Sequence, residues 1–120
     1  MTREDSSPEG WPSDWLRAVL GLSVLQVLTD GPSYGYAITT TLAEAGLGQV
    51  KGGTLYPLLT RFETAGLVST QWRAGTQGPG RKYFSLTDAG RAELAEQLPL
   101  WERFSTITTN HLMRGNHHEG

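Results

Sequence analysis

Residues 51–69, KGGTLYPLLTRFETAGLVS, gather hydroxyls, a phenol and a guanidinium in Thr54, Tyr56, Thr60, Arg61 and Thr64, with Glu63 as their single acid. Leu55, Leu58, Leu59 and Phe62 recur at spacings of three and four, so the stretch reads as a helix that buries those four and turns the polar set largely outward. A helix face that offers hydrogen bonds and little negative charge suits the major groove of DNA, where base edges present donors and acceptors. A solvated surface helix would have the same pattern, and only the flanking elements can separate the two readings.

Other chemistries find little support. The chain has no cysteine, which excludes disulfides and thiolate metal sites and fits a reducing cytoplasm. Its histidines are His111, His117 and His118, and no carboxylate pair or phosphate loop has a supporting context, so no enzyme, cofactor or metal site is expected. The longest apolar region, residues 15–28, contains Arg17 and Gln26 and is shorter than the roughly 20 residues needed to cross a bilayer. Residues 1–11 lack the basic start and apolar run of a secretory signal.

The net charge of −2 is unevenly spread. Residues 51–86 carry Lys51, Arg61, Arg73, Arg81 and Lys82 against Glu63, a local net of +4, whereas residues 1–50 sum to −4 and residues 87–120 to −2. Charges are screened over about 8 Å at physiological salt, so a partner meeting one face feels the local sign. The middle of the chain is a basic patch.

The elements that must position this patch follow from local signals. Residues 1–13, rich in Ser, Pro, Gly and acid, read as a flexible arm. Ser13 or Asp14 is expected to cap a first helix reaching about Thr29, whose apolar residues extend around more than one face and imply a partner subunit. Ser33 is expected to cap a second helix over 34–45, closed by Gly46 with Leu47 returning to Leu42. The third helix should start near Gly53, with Pro57 in or just past its first turn, and end at Gly66 with Leu67 packing back on Phe62.

Two short strands of period two, residues 68–73 and 81–86, flank the glycine-rich loop AGTQGPG, with Arg81 and Lys82 at its base. Three helices, a strand, a basic loop and a strand make the winged-helix order, in an α+β chain that is mainly α with a β-hairpin wing. Thr87 caps a last helix over 87–113, with a kink or break expected near Leu98 because Pro99 removes a hydrogen bond. Its apolar stripe is longer than the rest of the domain can cover, which implies a homodimer built on the first and last helices. Trp15, Leu16, Val19, Leu22, Leu94, Leu98, Trp101, Phe104, Thr108 and Leu112 are the expected interface residues. Residues 114–120 are expected to be a disordered tail, with His117 and His118 exposed in it.

In this order and spacing the sequence resembles the PadR family of bacterial transcriptional regulators. The resemblance spans about residues 15–112 and is carried by LxxLxxGPSYGYAI (25–38), TLYPLLTRFETAGLV (54–68), GRKYFSLTDAG (80–90) and Trp101. It implies a winged helix-turn-helix homodimer that binds a pseudo-palindromic double-stranded DNA operator, usually as a repressor. The single C-terminal helix is similar to the small subgroup of the family. Carried over by position, Tyr56 and Thr54 match the helix residues near bases and backbone, Arg81 and Lys82 the basic wing, and Ser33 and Tyr34 a helix start near phosphate. With Lys51, which departs from the family's usual Ser or Asn cap, and Arg61, these form the expected DNA-binding set. Trp101 matches a tryptophan that stacks planar aromatic ligands between subunits in multidrug-sensing members, which implies a small planar hydrophobic effector; dimer packing alone is the other reading of that residue. A winged helix that binds a protein instead of DNA is the alternative from a different functional class.

Overall fold

The computed structural model describes residues 10–75 and 78–115. Helix α1 (Ser13–Val27) is capped by neither Ser13 nor Asp14. Pro12 occupies the cap, its φ of −61° already suited to a helix entrance, and its carbonyl accepts from the Trp15 and Leu16 amides at 3.0 and 3.3 Å. Asp14 lies in the first turn, where it favours the helix dipole and pairs with Arg17 at 2.5 Å. The helix tightens into a 3-10 turn, Leu28–Asp30, and stops at Gly31, whose φ of +131° suits glycine.

The next segment departs from expectation. Ser33 does not cap a helix: Ser33–Tyr34 form a short strand, β1, and helix α2 (Gly35–Glu44) begins only after it. At the other end of α2 the capping glycine behaves as its sequence implies. Gly46 has φ +95°, and Leu47 N donates back to Leu42 O at 3.0 Å. Helix α3 (Gly52–Thr64) closes the same way, with Gly66 at φ +80° and Leu67 N on Phe62 O at 2.9 Å. Pro57 is the sixth residue of α3; it and Gly53, whose carbonyl loses a partner, are both exposed, so water can satisfy that oxygen.

Strands β2 (Val68–Arg73) and β3 (Arg81–Leu86) form the expected hairpin, and β1 adds to its free side, giving the antiparallel order β1-β3-β2. Tyr34 faces Tyr83 across one seam and Gln71 faces it across the other. Period-two alternation sends Val68, Phe84 and Leu86 into the core, where Leu20, Val24, Leu25 and Leu28 of the first helical segment, Ile38 and Leu42 of α2, Leu55, Leu58 and Leu59 of α3 and Leu94 meet them.

Helix α4 (Asp88–Arg114) runs unbroken through Pro99, so the break expected near Leu98 is absent. Ala95, whose carbonyl loses its partner, is exposed, and solvent can take that bond. Thr87 caps α4 as expected, its Oγ1 accepting from Gly90 N at 3.0 Å. The assembly is a winged helix-turn-helix with a long fourth helix, and among the described residues no helix is long and apolar enough to cross a membrane.

Candidate nucleic-acid interface

Helix α3 turns about 100° per residue, so with Leu55, Leu58 and Leu59 inward, its outward centre is Gly53, Pro57, Thr60 and Thr64. Tyr56 rises on one flank, 49 % exposed, and Thr54 and Arg61 lie on the other. Tyr56, Thr60 and Arg61 border one shallow hollow on the exposed face. Thr54 and Arg61 also line a cleft between α1 and α4, so the expected DNA-facing set is divided by helix geometry. Lys51 holds the cap position of α3 and is exposed, but its side chain makes no capping bond.

The Tyr56 ring has a seat made of missing side chains. A Cβ on Gly35, the first residue of α2, would lie 2.5 Å from Tyr56 Cζ, and one on Gly52 would lie 3.5 Å from Cδ2 and Cε2. The phenol thus rests across the starts of α2 and α3, with its polar end against Gly35. Gly35 carries no hydrogen-bonding side chain, and sequence reasoning did not single it out.

On the outer face of the sheet, Tyr34 and Tyr83 meet edge to face with centroids 5.2 Å apart. Arg81 lies over Tyr34 at 4.4 Å and Arg73 over Tyr83 at 4.1 Å. Two guanidiniums are therefore held on adjacent rings, an arrangement that orders long side chains without neutralising them. Tyr34 reaches this site from β1 and is at the same time the N-cap of α2, as the expected helix start implies, whereas Ser33, paired with Phe84, lies on the other face of the sheet. Arg73 belongs to the basic patch legible in the sequence but not to the expected DNA-binding set, although its register partner is Arg81.

The opposite face of the hairpin leans on α3. Glu63 Oε2 accepts from Thr70 Oγ1 at 2.9 Å, and its Oε1 lies 3.7 Å from Lys82 Nζ. Lys82 is thus half-buried and paired, unlike the free wing cation the sequence suggests. Beyond it on the same face Trp72 is 69 % exposed.

The candidate interface of α1 and α4 is divided by burial. Trp15, Leu98, Phe104 and Leu112 are exposed, and Leu16, Val19, Leu22, Trp101 and Thr108 are half-buried. Leu94, expected at the interface, is 4 % exposed and belongs to the core, because α4 docks on the domain through its first two turns. Trp101 and Phe104, with centroids 5.9 Å apart, flank the cleft of about 520 Å³ that Thr54 and Arg61 also line. His111 is exposed near the end of α4, and residues 1–9, Thr76, Gln77, His117 and His118 lie outside the described residues.

Comparison with known proteins adds an independent line. The profile of the Transcriptional regulator PadR-like family matches residues 24–96. A transcriptional regulator of Mycobacterium tuberculosis is 36 % identical over 83 residues, which cover 69 % of this chain and 76 % of that one. The crystal structure of a PadR-like transcriptional regulator from Bacillus cereus shares 34 % identity with TM-score 0.72, covering 82 % of this chain and 96 % of that one. A PadR family regulator from Eggerthella lenta is also 34 % identical, with TM-score 0.71 and 83 % of each chain covered.

Proposed function

The chain belongs to the PadR-like family of transcriptional regulators, and from that premise we propose that it acts in the cytoplasm as a homodimeric repressor bound to a pseudo-palindromic DNA operator. The observation that carries this reading is the joining of two features through adjacent residues: Tyr56, on the exposed flank of α3, abuts Gly35, and Arg81 of the wing rests on the ring of Tyr34, with Arg73 beside it on Tyr83. Helix α3 supplies base contacts and the wing supplies phosphate contacts, a division in which one sets sequence and the other sets register. The dimer is supported by the exposed apolar residues of α1 and α4, which a second copy would cover by a twofold contact.

A planar hydrophobic effector fits the same architecture. Trp101 and Phe104 offer aromatic faces, and Arg61 borders both their cleft and the α3 hollow. A ligand seated there adjoins the reading helix and would release the operator by moving it.

The test is electrophoretic mobility shift with fragments of the DNA upstream of the coding region, over a salt series. Two to four phosphate contacts per subunit give a log affinity against log salt slope of about −4 to −7 for the dimer. Tyr56→Ala abolishes binding to the protected fragment while the dimer stays folded. Unchanged affinity in that variant, or binding to random duplex no stronger than an acidic protein of equal size gives, would favour the protein-binding winged helix instead.

A further inference from the structure

Segment 51–86 has one acidic residue, and the fold puts it on the reading helix against the wing. Glu63 lies in the last turn of α3, where the negative end of the helix dipole disfavours a carboxylate. Helix electrostatics alone would favour a neutral or basic side chain there, so the reason for the acid is sought in its partners. Thr70 Oγ1 fixes one carboxylate oxygen at 2.9 Å, and the other faces Lys82 Nζ at 3.7 Å.

The two contacts differ in kind. The Thr70 bond has ordinary hydrogen-bond length and ties β2 to α3. The Lys82 approach is longer than a hydrogen bond, its two side chains are 38 % and 39 % exposed, and its ammonium lies 5.6 Å from the Phe84 ring centroid, so the lysine is held by charge and one loose ring contact and can leave. Arg73 and Arg81 rest more closely on Tyr83 and Tyr34, at 4.1 and 4.4 Å, and the ion pairs found among the described residues are those of Arg17 with Asp14 and Lys82 with Glu63. Of these three wing cations, Lys82 is the one with an internal counter-charge.

We propose that Glu63 is an internal competitor of DNA phosphate for Lys82, and that it thereby sets the strength and salt sensitivity of DNA binding. A phosphate that takes Lys82 must displace Glu63 and then bear its repulsion. The contact is correspondingly weaker than a free lysine would make, for a duplex of any sequence. Glu63 acts here through Lys82 as a positioning residue, and the inference rests on the DNA-binding reading above.

Glu63→Gln removes the charge and keeps a carbonyl oxygen for Thr70, so the link between β2 and α3 persists. Full-length wild type and variant are titrated by fluorescence anisotropy against the protected upstream fragment and a scrambled duplex of equal length. The variant binds both duplexes about two- to fivefold more tightly per subunit, the range spanned by an exposed ion pair. Its log–log salt slope steepens by up to about 0.9 per subunit, the value for a phosphate contact that Glu63 blocks completely in the wild type. In a Lys82→Met background the same change leaves the slope where it was. An unchanged slope in the otherwise wild-type chain, equal gains with and without Lys82, or weaker binding to both duplexes would overturn the proposal and leave Glu63 as a brace. Wild type that binds neither duplex would remove the DNA-binding reading itself, and this inference with it.

Discussion

Gly35→Ala isolates the seat of Tyr56 from the rest of the fold. A Cβ at that position would lie 2.5 Å from Tyr56 Cζ and closer still to the phenol oxygen, and ordinary contact begins near 3.4 Å, so the end of the ring has to retreat by about 1.5 Å. The obstacle is the far end of a side chain, so the backbone can stay in place. Alanine also gains up to about 1 kcal/mol over glycine in a helix, which offsets the lost ring packing and holds the change in folding stability within about 1 kcal/mol. A base-edge contact is worth about 1–3 kcal/mol; losing roughly half of that range weakens operator binding about tenfold. Anisotropy titration against the operator fragment measures the affinity, and circular dichroism melting measures the stability. Affinity within twofold of wild type, with melting preserved, would refute the argument that the glycine seat places Tyr56 for DNA. A large loss of stability would refute the claim that only the side chain moves.

Three further outcomes concern α4 and its junction with α3. At the junction of α3 and α4, a Cβ on Gly90 would meet Leu86 Cδ1 at 2.7 Å and the Leu67 carbonyl oxygen more closely, so Gly90→Ala should cost about 1–3 kcal/mol by urea denaturation; Thr87→Ala, which loses a helix cap, should cost about 0.5–2 kcal/mol. In the α1/α4 cleft, planar aromatic compounds should quench tryptophan emission in the wild type and quench less in Trp101→Leu; equal quenching in both would leave Trp101 as packing.

What could be read from the sequence was what the chain decides locally. Gly46 with Leu47 and Gly66 with Leu67 set their caps within six residues, and Thr87 reaches Gly90 within four, so composition and spacing suffice for all three. The hairpin was legible for the same reason, since its strands alternate cleanly about a loop that cannot be helical. Strand β1 was not. Two residues carry no period; Ser33 and Tyr34 pair with Phe84 and Tyr83, about fifty positions later, and Tyr34 is also the extended N-cap of α2. Ser33 before an apolar helix looked like a cap, and tertiary pairing overrode that preference. The start of α1 was misread more simply: Pro12 has no capping side chain, yet its backbone is preset for the task.

The same distinction explains the binding face. Tyr56 was visible as an exposed phenol on a helix, but its seat needs Gly35 from another element. Arg81 and Lys82 are adjacent in sequence and therefore point to opposite faces of β3, one to a tyrosine and the other to Glu63. Adjacency in the chain suggested one basic cluster; the strand's period of two makes it two different sites.

The junction between α3 and α4 gives this division a mechanical consequence. Thr87 N donates to Leu67 O at 3.1 Å and Thr87 Oγ1 donates to Gly66 O at 2.7 Å, while the same oxygen accepts from Gly90 N. The residues that close the reading helix are thus bonded to those that open α4, with no side chain at Gly90 to act as a cushion. Helix α4 is about 40 Å long, and its exposed apolar residues from Leu98 to Leu112 lie beyond that junction, whereas the Trp101 cleft reaches back to Leu67 and α3. In the proposed dimer, a second copy that covers this face acts on a long lever whose short end is fixed beside α3, and a ligand in the cleft acts at that short end directly. The separation of two reading helices then follows from the angle of α4, and a small tilt moves both Tyr56 residues out of register with a duplex of fixed pitch.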